Sequence, residues 1–198
     1  MKVKRYLLKI KLDEIDPEIW RHFVVPAYIT LDRLHDIIQI VMGWTDSHLY
    51  EFIIGKKRFT EFPESKEDGF ESGKYRLGDL IKLKGRTFDY RYDFGDNWVH
   101  EVTIEDNRYA NPDLQSEVEC LDGAKACPPE DIGGVLGYGE FCEAMKDSSH
   151  EAHEGVLEWN GGPYDSEEFS IEDINEELSI YLRWSRERYL PWREEPPA

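Results

Sequence analysis

Along the first residues of the chain Tyr6, Leu8, Ile10 and Leu12 fall on one parity and Arg5, Lys9 and Lys11 on the other, with Leu7 the exception. A period of two marks a strand with one buried face, so the chain is expected to open on a strand over 6–12. Asp13-Glu14-Ile15-Asp16-Pro17 reads as a turn. Residues 19–25, rich in β-branched and aromatic side chains up to Pro26, read as a second strand that completes a hairpin. The period then changes. Thr30 offers an N-cap, Asp32 suits a first turn, and Leu31, Leu34, Ile38 and Val41 recur at helical spacing until Gly43 supplies a stop. Residues 49–54 return to strand character, and the polar, glycine-bearing stretch 55–73 is expected to form a loop or irregular excursion.

Residues 87–93 and 98–104 alternate on either side of Phe94-Gly95-Asp96-Asn97 and predict an antiparallel hairpin. Phe88, Tyr90 and Tyr92 point one way on it, and Trp98, His100, Val102 and Ile104 share a face. Beyond Asn111 a loop rich in Cys, Pro and Gly leads into helical patterns, with Tyr138, Phe141, Cys142 and Met145 as one apolar stripe. Ser170 and Asp173 approximate a capping box for a last helix carrying Ile171, Ile174, Leu178 and Tyr181 on one face. Residues 183–198 are expected to be a weakly ordered tail. The expected fold class is α+β: a mostly antiparallel sheet built from hairpins, one helix after the first hairpin, and a helical, acidic C-terminal half packed against the sheet. No repeat or clean linker divides the chain, so 1–182 reads as one domain, strand-rich over 1–109 and helix-rich over 110–182.

Charge sharpens this picture. The formal charge of −18 is uneven: residues 1–109 hold 20 acids and 18 bases, and residues 110–198 hold 22 acids and 6 bases. An acidic surface repels phosphate backbones, so duplex nucleic acid is disfavoured as a partner, although Lys2, Lys4, Arg5, Lys9 and Lys11 form a local basic run. The N-terminus lacks a signal-peptide core and no apolar run is long enough to span a bilayer, which predicts a cytoplasmic protein with no membrane partner. Cys120, Cys127 and Cys142 are too few for a secreted disulfide framework, and reduced thiols are expected.

Candidate chemistry lies in the loops. His100 shares a strand face with Trp98 near a turn bearing Asp93 and Asp96, where a histidine beside carboxylates would serve as base or metal ligand; a buried histidine satisfied by one hydrogen bond is the plainer reading. Asp93 and Asp96 have their own plain reading, as caps of a glycine turn. Asp46-Ser47-His48 gathers carboxylate, hydroxyl and imidazole at a strand start, but neighbours on a strand face opposite ways and make no nucleophile–base pair. Glu130 and Asp131 follow a rigid Pro128-Pro129 pair and lead into a helix, either as a ligand-lining loop or as a proline-braced loop with a helix-capping Asp. Cys120, Cys127, His48 and His100 are the candidate metal set. The six residues between the two cysteines exceed the usual zinc-knuckle gap, and two buried thiols are the alternative. His150-Glu151-Ala152-His153 is one residue short of a zincin motif, and Asp93-Phe94-Gly95 lacks the motifs that accompany it in kinases.

Three ordered stretches carry a resemblance. The first is Ile19-Trp20-Arg21 with Val25-Pro26 and Met42-Gly43-Trp44-Thr45-Asp46-Ser47-His48-Leu49. The second is Tyr90-Arg91-Tyr92-Asp93-Phe94-Gly95-Asp96-Asn97-Trp98-Val99-His100. The third is Cys120-Leu121-Asp122-Gly123 followed by Ala126-Cys127-Pro128-Pro129-Glu130-Asp131-Ile132-Gly133-Gly134. Together they resemble the open-reading-frame-three-like family named after the root-inducing plasmid pRiA. That resemblance implies an α+β domain without an assigned activity. Some members are labelled insertion-element passenger proteins, which implies a recombination role by association. The sequence departs from the family pattern at Ile132, where a third cysteine commonly stands, and at Asn97, where glycine is common. The first departure removes one ligand from any three-thiolate site.

The function expected from these residues is a non-enzymatic ligand- or protein-binding module, its site where the segments of Asp46–His48, Asp93–His100 and Cys120–Gly134 converge. The alternatives are a metal-dependent hydrolase using some of His48, His100, Cys120, Cys127 and Asp131 as ligands with Glu130 or Asp96 as base, and a mobile-element-associated nucleic-acid accessory protein. No cofactor is expected, and zinc is the metal the cysteines and histidines would hold. The partner is an unknown protein or small ligand.

Overall fold

The computed structural model describes residues 4–65, 67–83 and 85–184. Its strands are β1 (Arg5–Leu12), β2 (Trp20–Pro26), β3 (Tyr50–Ile54), β4 (Lys57–Thr60), β5 (Phe70–Glu71), β6 (Thr87–Tyr92), β7 (Trp98–Tyr109) and β8 (Glu119–Ala124). Its helices are α1 (Leu31–Met42), the single turn α2 (Leu77–Leu80), α3 (Gly134–Lys146), α4 (His153–Trp159) and α5 (Ile171–Trp184). All eight strands join one sheet in the order β5-β4-β3-β6-β7-β1-β2-β8. Neighbours are antiparallel except β4 and β5.

The alternation read in β1 is realised: Tyr6, Leu8, Ile10 and Leu12 are buried while the residues between them are half-buried. α1 starts at Thr30 and ends on Gly43 at φ 107°, a left-handed conformation that a side chain resists. Thr30 makes no side-chain cap; Asp32 Oδ1 instead accepts the Arg33 N–H at 2.8 Å. Leu31, Leu34, Ile37, Ile38 and Val41 are wholly buried in one cluster with the inner face of the sheet. Each such side chain contributes roughly 1.5–3 kcal/mol of transfer free energy.

Arg21 fastens three segments behind this core. Its guanidinium is 2% exposed and donates to the carbonyls of Val41, Trp20, Ala124 and Lys125, each at 2.8 Å, which holds the end of α1 and the exit of β8 to β2. A buried charge without a carboxylate is tolerable because these carbonyls satisfy its N–H groups. The edge strand β8 is closed from outside by α5. Asn175 Oδ1 accepts Cys120 N–H at 2.8 Å and its Nδ2 donates to Cys120 O at 2.9 Å, imitating the strand that is missing there. α5 is also tied to α1, where Tyr181 donates to Asp36 at 2.5 Å and Arg33 bonds both.

Four expectations change. The stretch 55–73 is not a simple loop, since it contains β4 and β5 and a 3-10 turn at Ser72–Lys74. β7 runs five residues beyond Ile104. The helix-rich part contains β8, so the acidic half supplies an edge of the sheet as well as helices. Arg183 and Trp184, assigned to the tail from sequence, are the last residues of α5; the rest of that tail lies outside the described residues.

Candidate functional site

The loop after α1, the β6–β7 turn and the Pro-Pro loop before α3 meet beyond the end of the sheet. His48 Nε2 lies 3.2 Å from Asp131 Oδ1, 3.7 Å from Asp93 Oδ2 and 3.7 Å from Glu130 Oε2. The nitrogen is buried and makes no hydrogen bond among the described residues, the two 3.7 Å approaches being too long for one. Among the described residues no lysine or arginine forms an ion pair with any of the three carboxylates. One liganding atom each of His48, Asp93 and Asp131 lies within 4.8 Å of the other two.

Asp93 and Glu130 each have one oxygen held by hydrogen bonds and one facing His48, while the exposed Asp131 turns Oδ1 to it. Asp93 Oδ1 accepts the Gly95 N–H at 2.8 Å, the local turn bond that its sequence suggests, and Oδ2 faces His48. Glu130 Oε1 accepts Thr45 N–H at 2.9 Å, Thr45 Oγ1–H at 3.2 Å and Tyr92 O–H at 3.1 Å, and Oε2 faces His48. Tyr92 Oη in turn accepts the Ser47 N–H at 2.9 Å. Burial and the Glu130 carboxylate push the Tyr92 hydroxyl well above its ordinary range, so it stays a donor to Glu130. Hydrogen bonds from outside thus orient two carboxylates whose remaining oxygens converge on His48. Asp93, Asn97 and Asp131 sit at φ 54°, 58° and 57°, the left-handed region that glycine adopts most readily. Gly134 is required here, since a Cβ would lie 2.5 Å from Asp96 O at a φ of 68°.

The other sequence candidates go elsewhere. Asp96, not Asp131, caps α3, its Oδ2 accepting the Gly133 N–H at 3.0 Å. Asp46 turns to His35 on the far side of its loop, at 2.7 Å. Trp98 is fully buried. His100 is fully buried too, its ring against Trp44 and Tyr90 and its Nδ1 3.2 Å from Tyr90 O, which makes Nδ1 the protonated nitrogen. Burial drops its pKa from 6.5 to about 3, so it is a neutral core residue rather than a base beside carboxylates. Cys120 and Cys127 lie beside Arg21, and among the described residues neither joins a group of three candidate ligands. Burial pushes the Cys120 thiol up to about 11 and raises that of Cys127 further, which disfavours the thiolate a metal needs. The two cysteines and His100 are therefore apart from the cluster, and of the candidate ligands His48 and Asp131 meet there. Tyr92, Thr45, His35 and Gln39 were not singled out in the sequence. For the last two the signal was present as polar residues four apart on the apolar face of α1.

The comparisons with known proteins agree with the motifs. A family model described as plasmid pRiA4b ORF-3-like protein matches residues 4–173. The chain belongs to this family. The uncharacterized protein y4hQ of Sinorhizobium fredii is 40% identical over 184 residues, covering 90% of this chain and 93% of its own. The crystal structure of MM3350 from Methanosarcina mazei Go1, a protein of unknown function, matches with a TM-score of 0.78 at 36% identity. It covers 87% of this chain and 98% of that one.

Proposed function

We propose that this chain is a binding module built around a divalent cation held by His48, Asp93 and Asp131, with Glu130 beside them. The observation that carries the reading is the spacing around His48 Nε2. Ligands about 2.1 Å from a cation stand about 3.0 Å apart along octahedral edges and about 3.4 Å apart along tetrahedral ones. The 3.2–3.7 Å separations seen here bracket the tetrahedral value and are poor hydrogen bonds. One imidazole with two or three carboxylates favours Zn²⁺ or Mn²⁺ over a thiolate-seeking metal. Three protein ligands leave coordination positions open on the solvent side, where the Asp131 side chain is 71% exposed. An oxygen ligand from a partner or small molecule would complete the shell there. Elemental analysis of protein purified without a metal-affinity tag, with melting before and after chelation, tests this. One equivalent of metal and a lower melting temperature after its removal support the reading; metal-free protein whose melt is unchanged by chelator or by added Zn²⁺ or Mn²⁺ rejects it.

The inward oxygen of Glu130 favours a second reading, metal-dependent hydrolysis with Glu130 as base to a cation-bound water. Cation-dependent turnover of chromogenic esters or phosphoesters, abolished in Glu130→Gln, would replace the binding-module reading. Absence of turnover in cation-loaded protein would leave the hydrolase reading without support.

A further inference from the structure

The loop that carries His48 is tied to the core by a closed ring of hydrogen bonds. Gln39 Oε1 accepts the Asp46 N–H at 2.9 Å, and Gln39 Nε2 donates to Tyr90 Oη at 2.9 Å. Tyr90 Oη meets His35 Nδ1 at 2.8 Å, and His35 Nε2 meets Asp46 Oδ1 at 2.7 Å, which returns the ring to its start. The oxygen of Gln39 is taken by a backbone N–H, so its nitrogen is the donor to Tyr90. With His35 as the Nε2–H tautomer, Tyr90 O–H donates to Nδ1 and Nε2–H donates to the Asp46 carboxylate. The three anchors are at most 3% exposed, and the Tyr50 ring stacks on His35 at 3.6 Å and 10°.

We infer that Gln39, His35 and Tyr90 are positioning residues for the cation ligand His48. The inference rests on the cation reading. The ring holds both the backbone and the side chain of Asp46, which sits at φ 57° two residues before His48. The neighbours of Asp46 are bound toward the site itself, Thr45 to Glu130 and Ser47 to Tyr92. The loop is thus clamped from two sides, by the ring within and by Glu130 and Tyr92 without. Opening the ring removes the inner clamp and leaves His48 hinged on the outer one, and cation affinity depends on a ligand held to within about half an ångström. Such outer bonds are typically worth 10- to 100-fold in metal affinity.

Tyr90→Phe deletes one oxygen and two of the four ring bonds while keeping the ring's bulk. Leu178→Val on α5 is the stability control, a small core truncation on an element apart from the loop. Zn²⁺ titration by calorimetry and the NMR signals of the His48 imidazole are read in both variants and in wild type. Tyr90→Phe is expected to weaken Zn²⁺ binding on the order of tenfold and to move the His48 signals. Leu178→Val should lower the melting temperature and leave both readouts in place, and Asp46→Asn, which keeps the acceptor and tolerates positive φ, should stay near wild type. The inference is overturned if Tyr90→Phe matches wild type in affinity and in the His48 signals, or if Leu178→Val changes them equally. Should wild type bind neither Zn²⁺ nor Mn²⁺, the cation reading fails by itself, and unmoved His48 signals in Tyr90→Phe would overturn the ring's role separately.

Discussion

His100 lets the fold's acid limb be worked from one residue. Its ring is fully buried between Trp44 and Tyr90, Nδ1 is bonded to Tyr90 O, and Nε2 has no hydrogen-bond partner among the described residues. Burial disfavours the imidazolium and lowers the pKa from 6.5 to about 3. The folded value lies below the unfolded one, so the unfolded chain takes up a proton as pH falls past about 6.5 while the fold refuses it until about 3. The contribution is therefore fully present above that window and declines through it, by about 1.4 kcal/mol per pH unit once the unfolded histidine is protonated. Between about pH 7 and about pH 5, where most carboxylates stay ionised, the loss comes to about 2 kcal/mol. His100→Asn keeps a donor for Tyr90 O and removes the titrating group. It should cost stability at both pH values through the cavity it leaves, on the order of 1–3 kcal/mol. The decisive quantity is the difference between the two pH values. Equilibrium urea unfolding followed by tryptophan fluorescence should show wild type losing about 2 kcal/mol more than His100→Asn on acidification. Equal losses would show that His100 accepts a proton as readily in the fold as outside it, and would refute the reasoning.

Further outcomes follow from other contacts. Arg21→Lys should destabilise by about 3 kcal/mol in urea unfolding, because one ammonium cannot serve the four carbonyls that the guanidinium bonds. A loss under 1 kcal/mol would contradict this. Asn175→Ala should cost about 1–2 kcal/mol by leaving both groups of Cys120 unpaired, and faster amide exchange at Cys120 is the local check. Tyr92→Phe, which removes the tyrosine's bond to Glu130 and frees the Ser47 N–H, should weaken cation binding about tenfold in a calorimetric titration. Gly134→Ala should lower the melting temperature and impair the site together, since its Cβ would drive α3 away from the β6–β7 turn.

The sheet was legible where a strand buries every second residue, as β1, β6 and the first half of β7 do. It was illegible where burial is too sparse to set a period. In β4 only Phe59 is buried, β5 is two residues long, and β8 buries Cys120 alone. Its membership in the sheet depends on β2 and Asn175, which are distant in sequence. Helix α1 was read from its aliphatic stripe, and that stripe concealed His35 and Gln39, whose partners Tyr90 and Asp46 no local pattern reveals. In the site, Asp93, Glu130 and Asp131 were nameable one by one as loop carboxylates. Which of them meet His48 is set by three positive-φ residues and by Thr45 and Tyr92, all tertiary facts. His100 shows the opposite case. Its place on an aromatic strand face was plain, and its removal from every carboxylate is a consequence of complete burial.

The most direct test of the account is calorimetric titration of the full chain, purified without a metal-affinity tag, with Zn²⁺ and with Mn²⁺. Wild type should bind one equivalent of one of them, His48→Ala and Asp93→Asn should lose at least about tenfold in affinity, and the exposed change Glu158→Gln should not. No heat of binding in wild type, or equal affinity in all four proteins, would contradict the assignment of His48, Asp93 and Asp131 as a cation site.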